Sequence, residues 1–368
     1  MGVIIGIDAS RAVTAQRTGT EAYAFFLIQA LIPLAAERGH QLRLYFNQPP
    51  PPNLFPQADC ATSIVIPFPR LWTHLRLALE LQRRPPDLFF TPAHVIPYTY
   101  TGPSAATIHD LGYHYFPEAH PKRQLAYLRW STRHNGRRAR YLLADSQATK
   151  EDLVRLDGLS PAKIGVVYPG LDPALQPVTD EGVLTAVQQK YHLTPPYLLF
   201  LSTIQPRKNL VRLMRAYAAS GLPHQLVLAG KSGWLAQPIL AEVARHPASI
   251  VLPGFIDDAD KAALLSGAAA FLYPSLYEGF GFPLLEAQVC GVPVLAADTS
   301  SLPEIAGDAA LLVDPLDTAA MTAALQRLVQ DQTLRSRLIG RGFENARRFT
   351  WRETAVRALD LLENGPGS

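Results

Sequence analysis

The sequence predicts an α/β protein made of two doubly wound domains, and three observations lead to that prediction. The chain has 368 residues, more than one compact core usually accommodates. Short apolar or β-branched runs alternate with helical patterns in both halves, as in parallel α/β layers. A turn-rich stretch at residues 169–177 separates the two sets of runs. We therefore expect two domains that face a central cleft, with ligands at the carboxyl ends of the strands.

Each expected strand is a short apolar or β-branched run next to turn-forming residues. In the first half these runs are Val3–Asp8, Gln41–Phe46, Asp87–Thr91, Ala105–Ile108, Tyr141–Asp145 and Ile164–Val167. In the second half they are Tyr197–Ser202, Gln225–Ala229, Ile250–Leu252, Ala270–Tyr273, Pro293–Ala296 and Ala310–Val313. The predicted domains are residues 1–172 and 173–350, followed by a final helix at residues 351–364.

The composition is that of a soluble globular protein, with 48% hydrophobic and 18% charged residues. The longest apolar runs have strand length, and the start of the chain lacks the basic region and cleavage site of a signal peptide. Cys60 and Cys290 lie far apart and match no metal-ligand spacing, which suits a reducing compartment. We expect a cytoplasmic protein.

The charge is distributed unevenly. The first 175 residues carry 18 Lys and Arg against 13 Asp and Glu, whereas the remainder carries 16 against 18. Residues 119–144 contain no acid, and Arg129, Arg133 and Arg137 would form one stripe on a helix. The stripe fits a solvated helix face, an anionic acceptor or peripheral contact with an anionic membrane on its cytoplasmic face. Nucleic acid is not expected, because no reading motif or aromatic stacking pattern accompanies the charge.

Two carboxylates flank a glycine turn in the stretch YEGFGFPLLEAQVCGVPV, which begins at Tyr277. The turn follows the expected strand Ala270–Tyr273, at the edge of the sheet where such folds bind ligands. Glu278 could reach ligand hydroxyls, and Glu286 could accept the hydroxyl pair of a ribose. The glycines allow close approach of the backbone, and amides at the start of the following helix can face an oxygen-rich ligand. The backbone groups expected at the ligand belong to Gly279, Phe280, Gly281, Phe282 and Leu284. A capping glutamate and a surface carboxylate are the structural alternative.

A pair of adjacent cations, Arg207 and Lys208, follows the expected strand Tyr197–Ser202 in the text TIQPRKN. A guanidinium and an ammonium side by side suit a diphosphate. An isolated pair of this kind is otherwise an exposed basic turn.

Together, PRKN at 206–209 and EGFGFPLLEA at 278–287 resemble the retaining group 1, family 4 glycosyltransferases, which have the GT-B fold. The second stretch matches the Glu-x7-Glu signature of that family. Weaker matches follow the family's order along nearly the whole chain: Thr107-Ile108-His109-Asp110, Ala144-Asp145-Ser146, Tyr168-Pro169-Gly170-Leu171-Asp172, Gly254-Phe255-Ile256-Asp257-Asp258 and Ser301-Leu302-Pro303-Glu304.

The resemblance implies a hexosyltransferase that holds a nucleotide sugar in its second domain and a glycan or lipid-linked acceptor in its first. Glu278 would contact the donor sugar, Glu286 would hold the ribose, and Arg207 with Lys208 would stabilise the leaving diphosphate. His109 would lie near the donor sugar. Mannose is the first sugar considered, in cell-surface polysaccharide synthesis. The final helix would pack back on the first domain.

The resemblance is looser at two places. Gly19, in the text RTGTE, would bring its amide toward the phosphates, although a helix N-cap explains this stretch equally well. Ile256 and Asp258 lie where the family meets the base. A carboxylate at Asp258 could accept the N–H donors of guanine, which favours a GDP-sugar over a UDP-sugar.

No cofactor or metal ion is expected, because no Asp-x-Asp directly follows a strand and the two cations could replace a metal. A nicotinamide oxidoreductase is disfavoured, because Gly279-x-Gly281 lacks the third glycine of the dinucleotide fingerprint. A GT-B phosphorylase and a noncatalytic protein that binds sugar nucleotides remain the alternatives. The presence of both His109 and Glu278 favours an enzyme.

Overall fold

The chain divides into two compact units. A computed structural model describes residues 2–14, 19–68, 70–93, 95–246 and 248–366. The first unit comprises Met1–Leu111, Lys122–Gly170 and Phe349–Ser368, and the second comprises Gly112–Pro121 and Leu171–Arg348. The segment Gly112–Pro121 was expected in the first domain and groups instead with the second unit. Its aromatic side chains explain the difference, because the ring of Tyr115 stacks on Tyr277 with centroids 4.7 Å apart.

The first unit contains a seven-stranded sheet in which every described pairing is parallel. The strands run in the order β3-β2-β1-β4-β5-β6-β7. Their bounds are β1 (Ile4–Asp8), β2 (Gln41–Phe46), β3 (Ala61–Val65), β4 (Leu88–Thr91), β5 (Ser104–Ile108), β6 (Tyr141–Ala144) and β7 (Ile164–Val166). Only β3 was not predicted. It lies at the sheet edge, is half-exposed, and therefore lacks the continuous apolar run that marks a buried strand.

The helices of the first unit include two that pack on each other from opposite ends of the sequence. The helices are α1 (Gly19–Glu37), α2 (Ala78–Arg83), α4 (Lys122–Arg138), α5 (Gln147–Asp157) and α14 (Trp351–Asn364). Helix α14 contacts α1, and Trp351, Leu359 and Leu362 join the same apolar core as Leu27 and Leu31. The backbone of Trp351 approaches Gly170 so closely that a Cβ on Gly170 would lie 2.3 Å from the Trp351 nitrogen.

Helix α1 is longer and more apolar than the sequence analysis recognised. By length and composition alone it could cross a membrane. One face of the helix, including Tyr23, Leu27 and Leu31, is buried in the core of the first unit. A core helix of a globular unit passes the same test of length and composition.

The second unit contains a six-stranded parallel sheet in the order β10-β9-β8-β11-β12-β13. Its strands are β8 (Tyr197–Leu201), β9 (Gln225–Ala229), β10 (Ile250–Gly254), β11 (Ala270–Tyr273), β12 (Val294–Ala297) and β13 (Ala310–Val313). Its helices are α3 (Gly112–Tyr115), α6 (Glu181–Lys190), α7 (Leu210–Ser220), α8 (Gln237–Val243), α9 (Lys261–Ser266), α10 (Phe282–Val289), α11 (Leu302–Ala306), α12 (Thr318–Gln330) and α13 (Gln332–Ala346). Every strand predicted for this half is present, and β8 lies directly beside β11.

Candidate active site

The glycine turn after β11 has the backbone that its sequence predicts. Gly281 has φ 129°, a conformation that residues with a Cβ rarely adopt, and it caps the start of α10. A Cβ on Gly281 would also meet Leu302 at 3.0 Å. Among the backbone groups expected to face a ligand, the amide of Leu284 does not, because it donates to the Gly281 carbonyl at 3.1 Å. Its side chain is fully buried, so Leu284 supports the turn rather than a ligand.

The carboxylate of Glu278 is held by both predicted cations. Its Oε1 lies 2.5 Å from Lys208 Nζ, and its Oε2 lies 3.1 Å from Arg207 Nη1. Glu278 and Lys208 are both buried, and Lys208 also donates to the Tyr273 hydroxyl at 3.1 Å. Burial alone would raise the pKa of Glu278, but the charges of Lys208 and Arg207 outweigh it and lower this pKa to about 2. The group is an ionised carboxylate at neutral pH.

The adjacency of β8 and β11 brings these groups together. Residues 206–208 form one turn of 3-10 helix after β8, and Asn209 follows with φ 59°. The buried side chain of Asn209 donates to the carbonyls of Pro274 (3.2 Å) and Pro315 (2.7 Å). Arg207 donates to the Tyr277 carbonyl at 2.6 Å. These bonds connect three loops at the carboxyl edge of the sheet, which holds the cations in place.

Two serines that the sequence analysis did not single out as site residues support the glycine turn from β12. Ser300 Oγ accepts the Glu278 amide at 2.9 Å, and Ser300 has φ 53°. Ser301 Oγ donates to the carbonyls of Glu278 (2.9 Å) and Phe280 (2.6 Å). The match Ser301-Leu302-Pro303-Glu304 was the only sequence indication of this support.

Glu286 lies in the second turn of α10. Its Oε1 accepts from Lys261 Nζ at 2.7 Å. Burial lowers the pKa of Lys261, but the charge of Glu286 and a contribution from Asp258 leave it raised. Glu286, predicted at the ribose, and Asp258, predicted at the base, therefore both interact electrostatically with Lys261. Lys261 was not predicted as a site residue.

The predicted base residues differ in exposure. Ile256 is buried, whereas Asp258 is exposed at the start of a 3-10 turn, Asp258–Asp260. The ammonium of Lys231 lies 4.5 Å from the ring centroid of the exposed Phe255, a contact that the sequence pattern did not indicate.

Asp258 and Asp260 have Asp-x-Asp spacing. They do not directly follow a strand, because β10 ends at Gly254. Asp260 accepts from Lys190 (2.5 Å) and from the Tyr191 hydroxyl (2.7 Å). Among the described residues, no group of three or more His, Cys, Asp and Glu side chains could hold a metal ion.

In the first unit, His109 follows β5 and lies between two protein acceptors. Its Nδ1 is 2.7 Å from Asp145 Oδ2, and its Nε2 is 2.9 Å from the Pro92 carbonyl. Burial would lower the pKa of His109, but Asp145 and the carbonyl leave it raised. Asp145 was not predicted as a site residue. Gly19 is the first residue of α1, with open space where a Cβ would lie. Its neighbours Arg17 and Thr18 lie outside the described residues.

The raised pKa of His109 predicts a pH effect on stability. A histidine whose pKa is higher in the folded state stabilises the fold fully below its ordinary value of 6.5. That stabilisation is lost as pH rises through the raised pKa. Thermal unfolding of wild type and His109→Gln should therefore show a stability difference that is larger at pH 6 than at pH 9. A difference independent of pH would contradict an imidazolium at this position.

Comparison with known proteins identifies the family of the chain. The family model described as glycosyl transferases group 1 matches residues 186–345, and the model described as Glycosyltransferase Family 4 matches residues 18–175. O-antigen chain mannosyltransferase B of Escherichia coli is 32% identical over 283 residues, which cover 72% of this chain and 74% of that protein. The chain belongs to the group 1, family 4 glycosyltransferases.

Other relatives of this glycosyltransferase are more distant or longer. The serotype-specific mannosyltransferase WbdA of Escherichia coli is 31% identical over 191 residues, which cover 48% of this chain but 23% of WbdA. Sucrose-phosphate synthase of Thermosynechococcus elongatus superposes with a TM-score of 0.74 at 21% identity, covering 98% of each chain. HepE of Anabaena, solved with UDP and glucose, gives 0.73 at 17% identity and covers 99% of this chain and 100% of HepE. These structures identify the GT-B fold of the glycosyltransferase.

Proposed function

We propose that this glycosyltransferase transfers a hexose, with mannose as the first choice, from a GDP- or UDP-sugar to a glycan or lipid-linked acceptor. The transfer would retain the configuration of the sugar and serve cell-surface polysaccharide synthesis. Two matched relatives are named as mannosyltransferases, one of them acting on the O-antigen chain. HepE binds UDP and glucose on the same fold. Retention is inferred from the resemblance to the retaining members of the family.

The buried contact of Glu278 with Arg207 and Lys208 is the observation that carries the proposal. Negative charge grows on the diphosphate as the bond to the sugar breaks, so cations beside it stabilise the transition state more than the ground state. Glu278 accepts hydroxyl hydrogen bonds from the donor sugar as an ionised carboxylate. Because Arg207 and Lys208 supply positive charge at the leaving group, the reaction needs no metal ion, and EDTA should leave turnover unchanged.

The nucleotide lies along α10 in this proposal. Glu286 accepts the ribose hydroxyls after exchanging part of its contact with Lys261, which lies 2.7 Å away. The exposed carboxylate of Asp258 then favours guanine, whose N–H groups it can accept. Calorimetry that compared GDP and UDP would test this choice, and tighter binding of UDP would overturn it.

In the first unit, His109 is proposed to contact the donor sugar and Gly19 the phosphates. For His109 to bind a sugar hydroxyl, its Nε2 must exchange the Pro92 carbonyl for the ligand. The rise in its pKa extends the pH range in which the ring is positively charged, and a positive ring favours an anionic donor.

Replacing Glu286 by alanine should weaken binding of the nucleotide without affecting the chemical step. Loss of two hydrogen bonds from ribose hydroxyls to a charged group should raise Kd by about tenfold or more. The matched control is Glu304→Ala, which removes a carboxylate from the first turn of α11. Calorimetry with the nucleoside diphosphate measures both variants, and an unchanged Kd in Glu286→Ala would remove Glu286 from the ribose site.

A screen of GDP- and UDP-sugars for binding, slow hydrolysis and transfer tests the proposed function. One donor should bind and be hydrolysed slowly, and turnover should be lost in Glu278→Ala. Binding and transfer of no sugar nucleotide would reject the proposal. Binding with no hydrolysis or transfer to any glycan or lipid-linked acceptor would favour the noncatalytic alternative, and glycan cleavage by inorganic phosphate would favour a phosphorylase.

A further inference from the structure

Large hydrophobic side chains are exposed together on one region of the first unit. Leu71 is 68% exposed, Leu75 is 52% exposed and Tyr98 is 64% exposed. Contacts of His74 place this region beside helix α4. The ring centroids of His74 and Trp130 lie 5.8 Å apart, and His74 Nδ1 accepts the Tyr98 amide at 3.2 Å. We define the α4 surface by its exposed apolar and aromatic residues: Leu71, Leu75, Tyr98, Tyr127 and Trp130.

The turn that carries Leu71 displays an apolar side chain in an unusual way. Leu71 has φ 55°, a region where leucine is rare and where glycine or asparagine is accommodated easily. A π-helix, Thr73–Leu77, begins two residues later. The backbone holds Leu71 outward, but the exposed Leu235 of the second unit has the same conformation, so the docking argument rests on the neighbours of Leu71 and not on its φ.

Helix α4 also carries exposed cations. Lys122, Arg123, Arg129 and Arg137 are exposed on α4, and no carboxylate lies within salt-bridge distance of any of the four in the part of the chain that the structure describes. Arg133 differs, because its Nε lies 3.6 Å from Asp157 Oδ1. The α4 surface therefore combines unneutralised positive charge with exposed apolar area.

This combination fits an anionic lipid surface better than a soluble glycan or a protein. Each basic residue near an anionic leaflet contributes about 1 kcal/mol to binding, and apolar side chains add about 25 cal/mol for each Å² removed from water. Trp and Tyr side chains favour the level of the headgroups, where one end of the ring is apolar and the other is wet. A neutral glycan has no net charge for the cations to attract, and it would gain little from protruding leucines.

We infer that the α4 surface docks the first unit onto an anionic membrane, with Leu71 and Leu75 inserted and the α4 cations over the headgroups. The inference goes beyond the proposed sugar transfer and does not depend on it. Tyr127 lies near the guanidinium of Arg11. Because Arg11 follows β1, docking would place the membrane beside the carboxyl edge of the first sheet, where a lipid-linked acceptor would enter.

Cosedimentation of the full chain with vesicles tests the inference. The vesicles contain phosphatidylcholine alone or with phosphatidylglycerol, at low and high salt. Wild type should bind the anionic vesicles, and Leu71→Ser with Leu75→Ser should bind about tenfold less. Arg123→Ser with Arg129→Ser should bind about tenfold less at low salt, and this difference should shrink at high salt.

A matched control exists in the second unit. Leu235 and Leu316 are 52% and 61% exposed, and Leu235 also has positive φ, at 57°. Leu235→Ser with Leu316→Ser should leave vesicle binding unchanged, and thermal unfolding should verify that every variant is folded.

Several outcomes would overturn the inference. These are no binding of wild type to anionic vesicles at low salt, equal losses in the control and the Leu71 variant, and binding that the leucine substitutions do not affect. Quenching of Trp130 fluorescence by a soluble manno-oligosaccharide without vesicle binding would identify the α4 surface as a glycan site instead. Because none of these readouts requires transfer activity, failure of the proposed function would leave the inference standing.

Discussion

Glu278→Gln is expected to reduce sugar transfer by about a hundredfold or more while nucleoside diphosphate binding stays within a fewfold of wild type. The substitution removes the charged acceptor that we propose contacts the donor sugar near the reacting carbon, and one contact made in the transition state is commonly worth this factor. Turnover of the donor identified in the screen measures the first effect, and calorimetry with the nucleotide alone measures the second.

The same substitution should also destabilise the second unit. Removing one partner of a buried ion pair leaves an uncompensated charge, here on Lys208, at a cost of about 3–5 kcal/mol. Calorimetric unfolding measures the loss. The control is Asp308→Asn, which breaks an exposed pair with Arg341 and should change stability by less than about 1 kcal/mol. Equal effects of the two substitutions, or transfer within tenfold of wild type in Glu278→Gln, would contradict the role assigned to Glu278.

Lys208→Met should have an effect of similar size through the leaving group. Without the ammonium, charge that develops on the diphosphate is stabilised by Arg207 alone, and kcat should fall by about 100- to 1,000-fold with a smaller change in KM. The pKa of Glu278 should rise from about 2, because Lys208 makes the largest contribution to lowering it. Residual turnover of the variant should therefore fall at acidic pH as Glu278 becomes protonated, in a pH range where Glu278 of wild type stays ionised.

Tyr273→Phe is the matched control for Lys208→Met. It removes the hydroxyl that accepts from Lys208 at 3.1 Å but keeps the charge. The expected cost is about 1 kcal/mol, which is close to a fivefold change in rate. A loss as large as that of Lys208→Met would mean that the position of the ammonium matters as much as its charge.

The fold and the site differ in how far the sequence could predict them. Buried parallel strands are apolar on both faces, so a continuous apolar run such as Tyr197–Leu201 can be recognised as a strand from the sequence. The half-exposed edge strand β3 has no such run and could not be recognised. The glycine turn was predictable because Gly281 requires a backbone that other residues avoid. The prediction that the Leu284 amide contacts a ligand was wrong, because that amide donates to the Gly281 carbonyl at the start of α10.

Contacts between distant residues were the least predictable part. Lys208 and Glu278 are 70 positions apart, and only the adjacency of β8 and β11 joins them. Each of these two side chains was predicted to contact a ligand, but their contact with each other was not predicted. The support from Ser300, the pairing of Lys261 with Glu286, and the assignment of Gly112–Pro121 to the second unit likewise depend on tertiary structure. Local patterns carry no information about such neighbours.

The return of α14 to the core of α1 has a consequence for synthesis on the ribosome. The apolar core of the first unit includes Trp351 and Leu359, which are translated more than 300 residues after Leu27 and Leu31. The nascent first unit therefore lacks part of its interior until nearly the whole chain has emerged. The second unit, apart from Gly112–Pro121, is one continuous stretch and is complete earlier. Whereas domains usually fold in the order of translation, here the later unit can reach its native structure before the earlier one.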